Sequence, residues 1–165
     1  MNVFKLLLVA ATALAQSAST QPEVNSSTVV LVCEHGAAKS VIAAAHFNRL
    51  ASQSNLPYRA VARGTKPDDA VAPAVRTGLA AEGLDVSISR PKAVSDEDIA
   101  RAGRVVSLAT DLLERKPSVK PKLLEWNDIP PVSENYTASR AAIVSEVEKL
   151  VKKFADEKPA AEAKK

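Results

Sequence analysis

Cysteine is nearly absent from this chain: Cys33 is the single one in 165 residues. No internal disulfide can form, so the thiol is either an inert buried hydrophobe or a reactive group. Cys33, His35 and His46 do not have the spacing of a structural zinc site, and no metal or cofactor is expected. Aromatic residues make up only 4%, so a core must be built mainly from Ala, Val, Leu and Ile. Charge of one sign is also lacking. The net value is +3, without a basic stripe, which gives no case for a nucleic-acid partner. The apolar run over residues 6–15 is too short to span a bilayer comfortably.

That run has the pattern of a secretory leader. Lys5 supplies the positive start, residues 6–15 the apolar stretch, and Ala13-Leu14-Ala15 a small-x-small cleavage site before Gln16. No cysteine follows closely, so a lipid anchor is not indicated. The expected organisation is a signal peptide over 1–15, a polar linker over 16–27, one domain over 28–156 and a disordered Ala/Lys/Glu/Pro tail over 157–165. An exported product, periplasmic or secreted, with no stable membrane insertion after cleavage, follows from this reading.

Within the domain, two periodicities alternate. Residues 28–32 are a continuous β-branched run, suited to a strand buried on both faces. Residues 40–50 place Val41, Ala44, Ala45 and Phe47 at helical spacing. A second strand is expected over 58–63, ended by Gly64, and a turn at Pro67-Asp68-Asp69. A helix over 71–82 comes next, with Pro73 in its first turn and Gly83 as its stop. Ser95 and Asp98 predict a capped short helix over 96–101. Strands are expected over 104–108 and 122–126, and a long amphipathic helix over 138–154. Such alternation predicts an α/β three-layer sandwich, a four-stranded parallel sheet flanked by helices. Ligands in such sheets bind at the carboxyl ends of the strands, and Cys33 ends the first strand.

The loop Cys33-Glu34-His35-Gly36-Ala37-Ala38-Lys39-Ser40 joins that strand to the next helix. Small side chains at Gly36, Ala37 and Ala38 let backbone amides turn toward one point. The helix adds its free N–H groups and positive dipole end. A tetrahedral oxyanion fits such a nest, and the same field favours a nucleophilic thiolate at Cys33.

These residues resemble a known family. Cys33-x5-Lys39-Ser40 is similar to the Cys-x5-Arg-Ser of the low-molecular-weight protein tyrosine phosphatases and the arsenate reductases that share their fold. Ala62-Arg63-Gly64-Thr65 resembles the family's Ser-Ala-Gly-Thr, and residues 73–87 resemble its next helix and turn. Asp128, in Trp126-Asn127-Asp128-Ile129-Pro130, falls where the family has an Asp-Pro acid. The resemblance implies a cysteine-dependent phosphomonoester hydrolase. Cys33 would attack phosphorus, Ser40 would hydrogen-bond the sulfur, and Asp128 would protonate the leaving oxygen and then activate water. Backbone amides of Glu34, His35, Gly36, Ala37, Ala38 and Lys39 would hold the oxyanion. The implied partner is a phosphorylated substrate or an inorganic oxyanion.

Three positions depart from the family pattern. Lys39 keeps the charge of the usual arginine but not its fork, and losing such a donor costs roughly 2–4 kcal/mol of transition-state stabilisation. Gly36 replaces the asparagine that braces the loop. Asp128 is followed by Ile-Pro rather than Pro. Arg63 stands where the family has a small residue, and its position and charge suggest that its guanidinium partly replaces the missing arginine. His35 reads as a loop or surface residue, His46 as structural or exposed, Arg90 as a surface charge, and Trp126 as a wall of the pocket. Two other functions fit the resemblance: arsenate reduction through an external thiol, since no second cysteine can resolve the intermediate, and oxyanion binding without turnover.

Overall fold

The computed structural model describes residues 24–157. The leader over 1–15, the linker up to residue 23 and the tail from residue 158 lie outside the described residues. The last four linker residues fold onto the domain as a turn. Val24 is buried, and the Asn25 carbonyl accepts the Thr28 amide at 2.8 Å.

Four strands form one sheet in the order β2-β1-β3-β4, all parallel. They are β1 (Thr28–Cys33), β2 (Arg59–Gly64), β3 (Arg104–Leu108) and β4 (Leu123–Trp126). Every residue of β1 is buried, as expected for a central strand covered on both faces. The helices are α1 (Lys39–Gln53), α2 (Pro73–Ala81), α3 (Asp96–Arg101), α4 (Leu112–Arg115) and α5 (Tyr136–Glu157). The short α4 and a 3-10 helix over Pro117–Lys122 are additions to the expected order. They supply the crossover that lets the sequential strands β3 and β4 run parallel.

Side-chain alternation divides the core in two. Val29, Leu31 and Cys33 of β1 meet Ile42 and Phe47 of α1, Leu79 of α2, and Ile143, Val147 and Phe154 of α5. Val30 and Val32 meet Ile99 of α3, Leu112 of α4 and Val119. The few aromatics are pooled on the first face: Phe154 stacks on Tyr58 at 4.3 Å and meets the Phe47 ring edge-on at 6.1 Å. The outer edge of β2 is covered without another full strand. The Asn48 side chain of α1 pairs with both the amide and the carbonyl of Ala60, at 2.7 and 3.1 Å. Gly64 bonds with Lys92 and Val94 at 2.8 and 2.9 Å.

The loop after β1 rests directly on the end of β2. Gly36 has φ +61°, the left-handed region, and a Cβ there would lie 2.9 Å from the Gly64 nitrogen. A Cβ on Gly64 would lie 2.7 Å from the Gly36 nitrogen and 2.9 Å from the His35 carbonyl carbon. Those neighbours are backbone and cannot swing aside. Gly64→Ala is therefore expected to lower stability by about 1–3 kcal/mol, the usual cost of overpacking. Urea unfolding measures it, and a wild-type midpoint would contradict the close approach.

Candidate active site

Cys33 lies at the carboxyl end of the central strand, 5% exposed, with its Sγ 3.2 Å from the Oγ of buried Ser40. Strand parity points Cys33 toward α1, and one loop length later the helix brings Ser40 back to the sulfur. Between them, main-chain carbonyls are drawn outward. Those of Cys33, Glu34, His35 and Ala37 accept the amides of Thr65, Lys66, Asp68 and Ala72 at 2.7–3.0 Å. The Ala38 carbonyl accepts the Ile42 amide at 3.0 Å. In a trans peptide the N–H points away from its C=O, so the loop amides face the opposite side. Among the described residues, no backbone amide of Glu34, His35, Gly36, Ala37, Ala38, Lys39 or Ser40 has a protein acceptor.

The start of α1 adds to this field. It has no side-chain cap and no acidic residue in its first turn. By contrast, α3 has a complete Ser95–Asp98 capping box and three acids in its first turn. The positive end of α1 is thus left unneutralised beside the sulfur. The family's asparagine brace is absent, but the segment 65–72 and the Gly36–Gly64 contact hold the loop in its place.

Lys39 meets the loop that carries Asp128, not Asp128 itself. The Lys39 Nζ donates to the Ile129 carbonyl at 3.1 Å. Asp128 is exposed on the loop that leaves β4, at the same carboxyl edge of the sheet as Cys33. Trp126, 8% exposed, ends β4 two residues earlier and belongs to the same core face as Cys33.

Arg63 does not serve the loop. It has the parity of Val61, so its side chain lies on the α3 face of the sheet, opposite Cys33. There its Nε and Nη2 donate to the two carboxylate oxygens of Asp98 at 2.9 and 3.2 Å, and its Nη1 donates to the Ala62 carbonyl at 3.0 Å. Every guanidinium nitrogen is engaged. Burial alone would raise the pKa of Asp98, but the hydrogen bonds from Arg63 and Ser95 outweigh it and hold it below 3.8.

The remaining named residues are structural or peripheral. His35 is exposed and pairs with Asp68 at 3.0 Å. Glu34 is exposed, with Lys66 at 3.9 Å. Arg90 is exposed and donates to the Ser87 and Ser89 carbonyls. His46 is fully buried on α1 among Arg49, Glu82 and Arg140. Arg49 donates to its Nδ1 at 2.9 Å, so the neutral ring carries its proton on Nε2. A groove of about 670 Å³ lies at the outer edge of β2, touches the loop only at Gly36 and is not lined by Cys33. Cys33 stands at the strand tip, outside this groove.

The model of the low molecular weight phosphotyrosine protein phosphatase family matches residues 28–161. The chain belongs to this family. No curated protein matches it by sequence. Among solved structures, it is similar to the YwlE arginine phosphatase of Geobacillus stearothermophilus at 21% identity and TM-score 0.68, over 79% of this chain and 94% of that one. A low molecular weight phosphotyrosine phosphatase from Vibrio cholerae aligns at 16% identity and TM-score 0.72, over 79% and 98%. The thioredoxin-dependent arsenate reductase of Corynebacterium glutamicum aligns at 22% and 0.64, over 79% and 63%. At these identities the structural likeness establishes the fold.

Sequence reasoning missed the segment 65–72 as the support of the phosphatase loop. Its signal was the Pro67-Asp68-Asp69 turn, which had no assigned purpose. It also missed Asp98 as the partner of Arg63, which strand parity would have placed away from Cys33.

His46 gives the domain a pH dependence outside the site. Burial is the main cause that lowers its pKa to about 4; Arg49 and Arg140 lower it further, against Glu82. The unfolded chain takes up this proton near pH 6.5, so it binds more protons than the fold between the two values. Stability is full above that range and falls as pH drops toward 4, by roughly 3 kcal/mol. Urea midpoints measured from neutral pH downward are expected to show this loss, and His46→Gln to flatten it. A flat wild-type profile over that window would contradict it.

Proposed function

We propose that the chain hydrolyses phosphomonoesters through a cysteinyl-phosphate on Cys33. The observation that carries this reading is the sulfur at the tip of β1, 3.2 Å from Ser40 Oγ, inside a loop whose amides have no protein acceptor among the described residues. The amides hold the three non-bridging oxygens. The Cys33 thiolate attacks phosphorus as the P–O bond to the leaving group breaks, and Asp128 supplies that oxygen with a proton. In the second half, the Asp128 carboxylate takes a proton from water, whose oxygen attacks phosphorus. The P–S bond breaks, releasing inorganic phosphate and restoring the thiolate. Ser40 favours the thiolate as leaving group by donating to it.

The single cysteine weighs against a disulfide relay of the kind needed for thioredoxin-coupled arsenate reduction, because no second thiol exists in the chain. With para-nitrophenyl phosphate, wild type is expected to turn over and Cys33→Ser to be inactive. Asp128→Asn is expected to lose about 10²–10⁴-fold on esters with poor leaving groups, the usual worth of a general acid. Activity surviving in Cys33→Ser overturns the cysteine mechanism. Phosphate binding without turnover would point to an oxyanion-binding domain, and arsenite release dependent on added thiol to a reductase.

The leader pattern supports an exported site of action. The protein recovered from an envelope or medium fraction is expected to begin at Gln16. Recovery only inside the cell with residues 1–15 retained would overturn export.

A further inference from the structure

The lysine that replaces the family's arginine makes a contact that an oxyanion donor does not require. Its ammonium reaches across 90 residues of sequence to the Ile129 carbonyl, immediately after Asp128. This carbonyl matters because two prolines come after it. Pro130 and Pro131 have no amide hydrogens, so these two residues can be held through the main chain only by their carbonyls. Pro130 O accepts Ser139 Oγ at 3.0 Å, and Pro131 O accepts the Glu134 and Asn135 amides at 3.2 and 3.3 Å. The Ser139 bond ties the loop to α5, and the other two close the turn that leads into it. Among the described residues, the polar link from this stretch to the Cys33 loop is the one from Lys39.

We propose that Lys39 is a positioning residue: it latches the loop that carries Asp128 against the phosphate loop, in place of the forked donor of the family motif. This deepens the hydrolase reading and rests on it for its catalytic meaning. An ammonium is a compact point charge with three donors, not a planar fork. Committed to Ile129, it spends its directionality on where the acid stands.

The two roles separate by leaving group. A dinitrophenolate departs without a proton, whereas a phenolate needs one, so misplacing the acid harms phenyl phosphate and spares the activated ester. Lys39→Met keeps the side chain's length and removes the donor. It is expected to lose about tenfold or more on phenyl phosphate relative to 2,4-dinitrophenyl phosphate, as Asp128→Asn also should. The double variant should be no more than about twofold worse than Asp128→Asn alone, because coupled groups are non-additive. Lys39→Arg retains a donor and is expected to restore the ratio.

Trp126, the one tryptophan of the chain, gives a readout that needs no turnover. Acrylamide quenching of its emission is expected to rise in Lys39→Met and to return to the wild-type value in Lys39→Arg. Thermal unfolding checks that each variant is folded, and Lys39→Gln takes the place of any Lys39→Met that is not. Equal losses on both esters, with unchanged quenching, would overturn the latch and return Lys39 to the oxyanion. If wild type hydrolyses neither ester, the hydrolase reading fails while quenching alone decides the latch: a rise upholds it, and no change overturns it.

Discussion

Five carbonyls of residues 33–38 accept main-chain amides, four of them from the segment 65–72. Singly, each such bond contributes about 0.5–1.5 kcal/mol net. Their larger effect is on direction. A peptide plane pinned by its oxygen must turn its N–H the other way, so bonds on the outer side of the loop set the donors on its inner side. The glycine pair at 36 and 64 lets the two segments approach closely enough for those bonds to form. The uncapped start of α1 then adds a positive end beside the same sulfur. The donors of this loop are thus main-chain groups.

The two-residue period of the sheet keeps that pocket free of competing charges. Cys33 faces α1 and α5 across an apolar layer. Arg63, one residue out of step with Gly64, is sent to the opposite face and neutralised by Asp98. The half-buried ions near α1 are likewise matched, with Glu82 gripped by Arg140 and the neutral, buried His46 beside it. Lys39 is the loop's cation at the carboxyl edge, and it is tethered to Ile129.

Much of this was legible in the order of residues. The β-branched run before Cys33, the Ser95–Asp98 cap, Pro73 at the first position of α2 and the long apolar stripe of α5 are local signals, and each appears where its chemistry places it. Cys33 and Ser40 also meet, as the resemblance to the family motif implies. What escaped was non-local. The Arg63–Asp98 pair depends on strand register, the hold of residues 65–72 on the loop depends on backbone directions, and the reach of Lys39 to Ile129 depends on β4 lying at the far side of the sheet. None of these leaves a pattern within one stretch of sequence. The short α4 and the 3-10 helix were missed for a simpler reason: they are too brief to show a period.

The closed edge of β2 has a bearing on how this domain would fail. Asn48 covers that edge from α1, the helix whose first turn carries Lys39 and Ser40. Fraying of α1 would therefore do two things at once, scattering the groups around the sulfur and baring a strand border to neighbouring molecules. Damage to this enzyme and its clumping would start from one event, so the intact pocket also guards against intermolecular strand pairing.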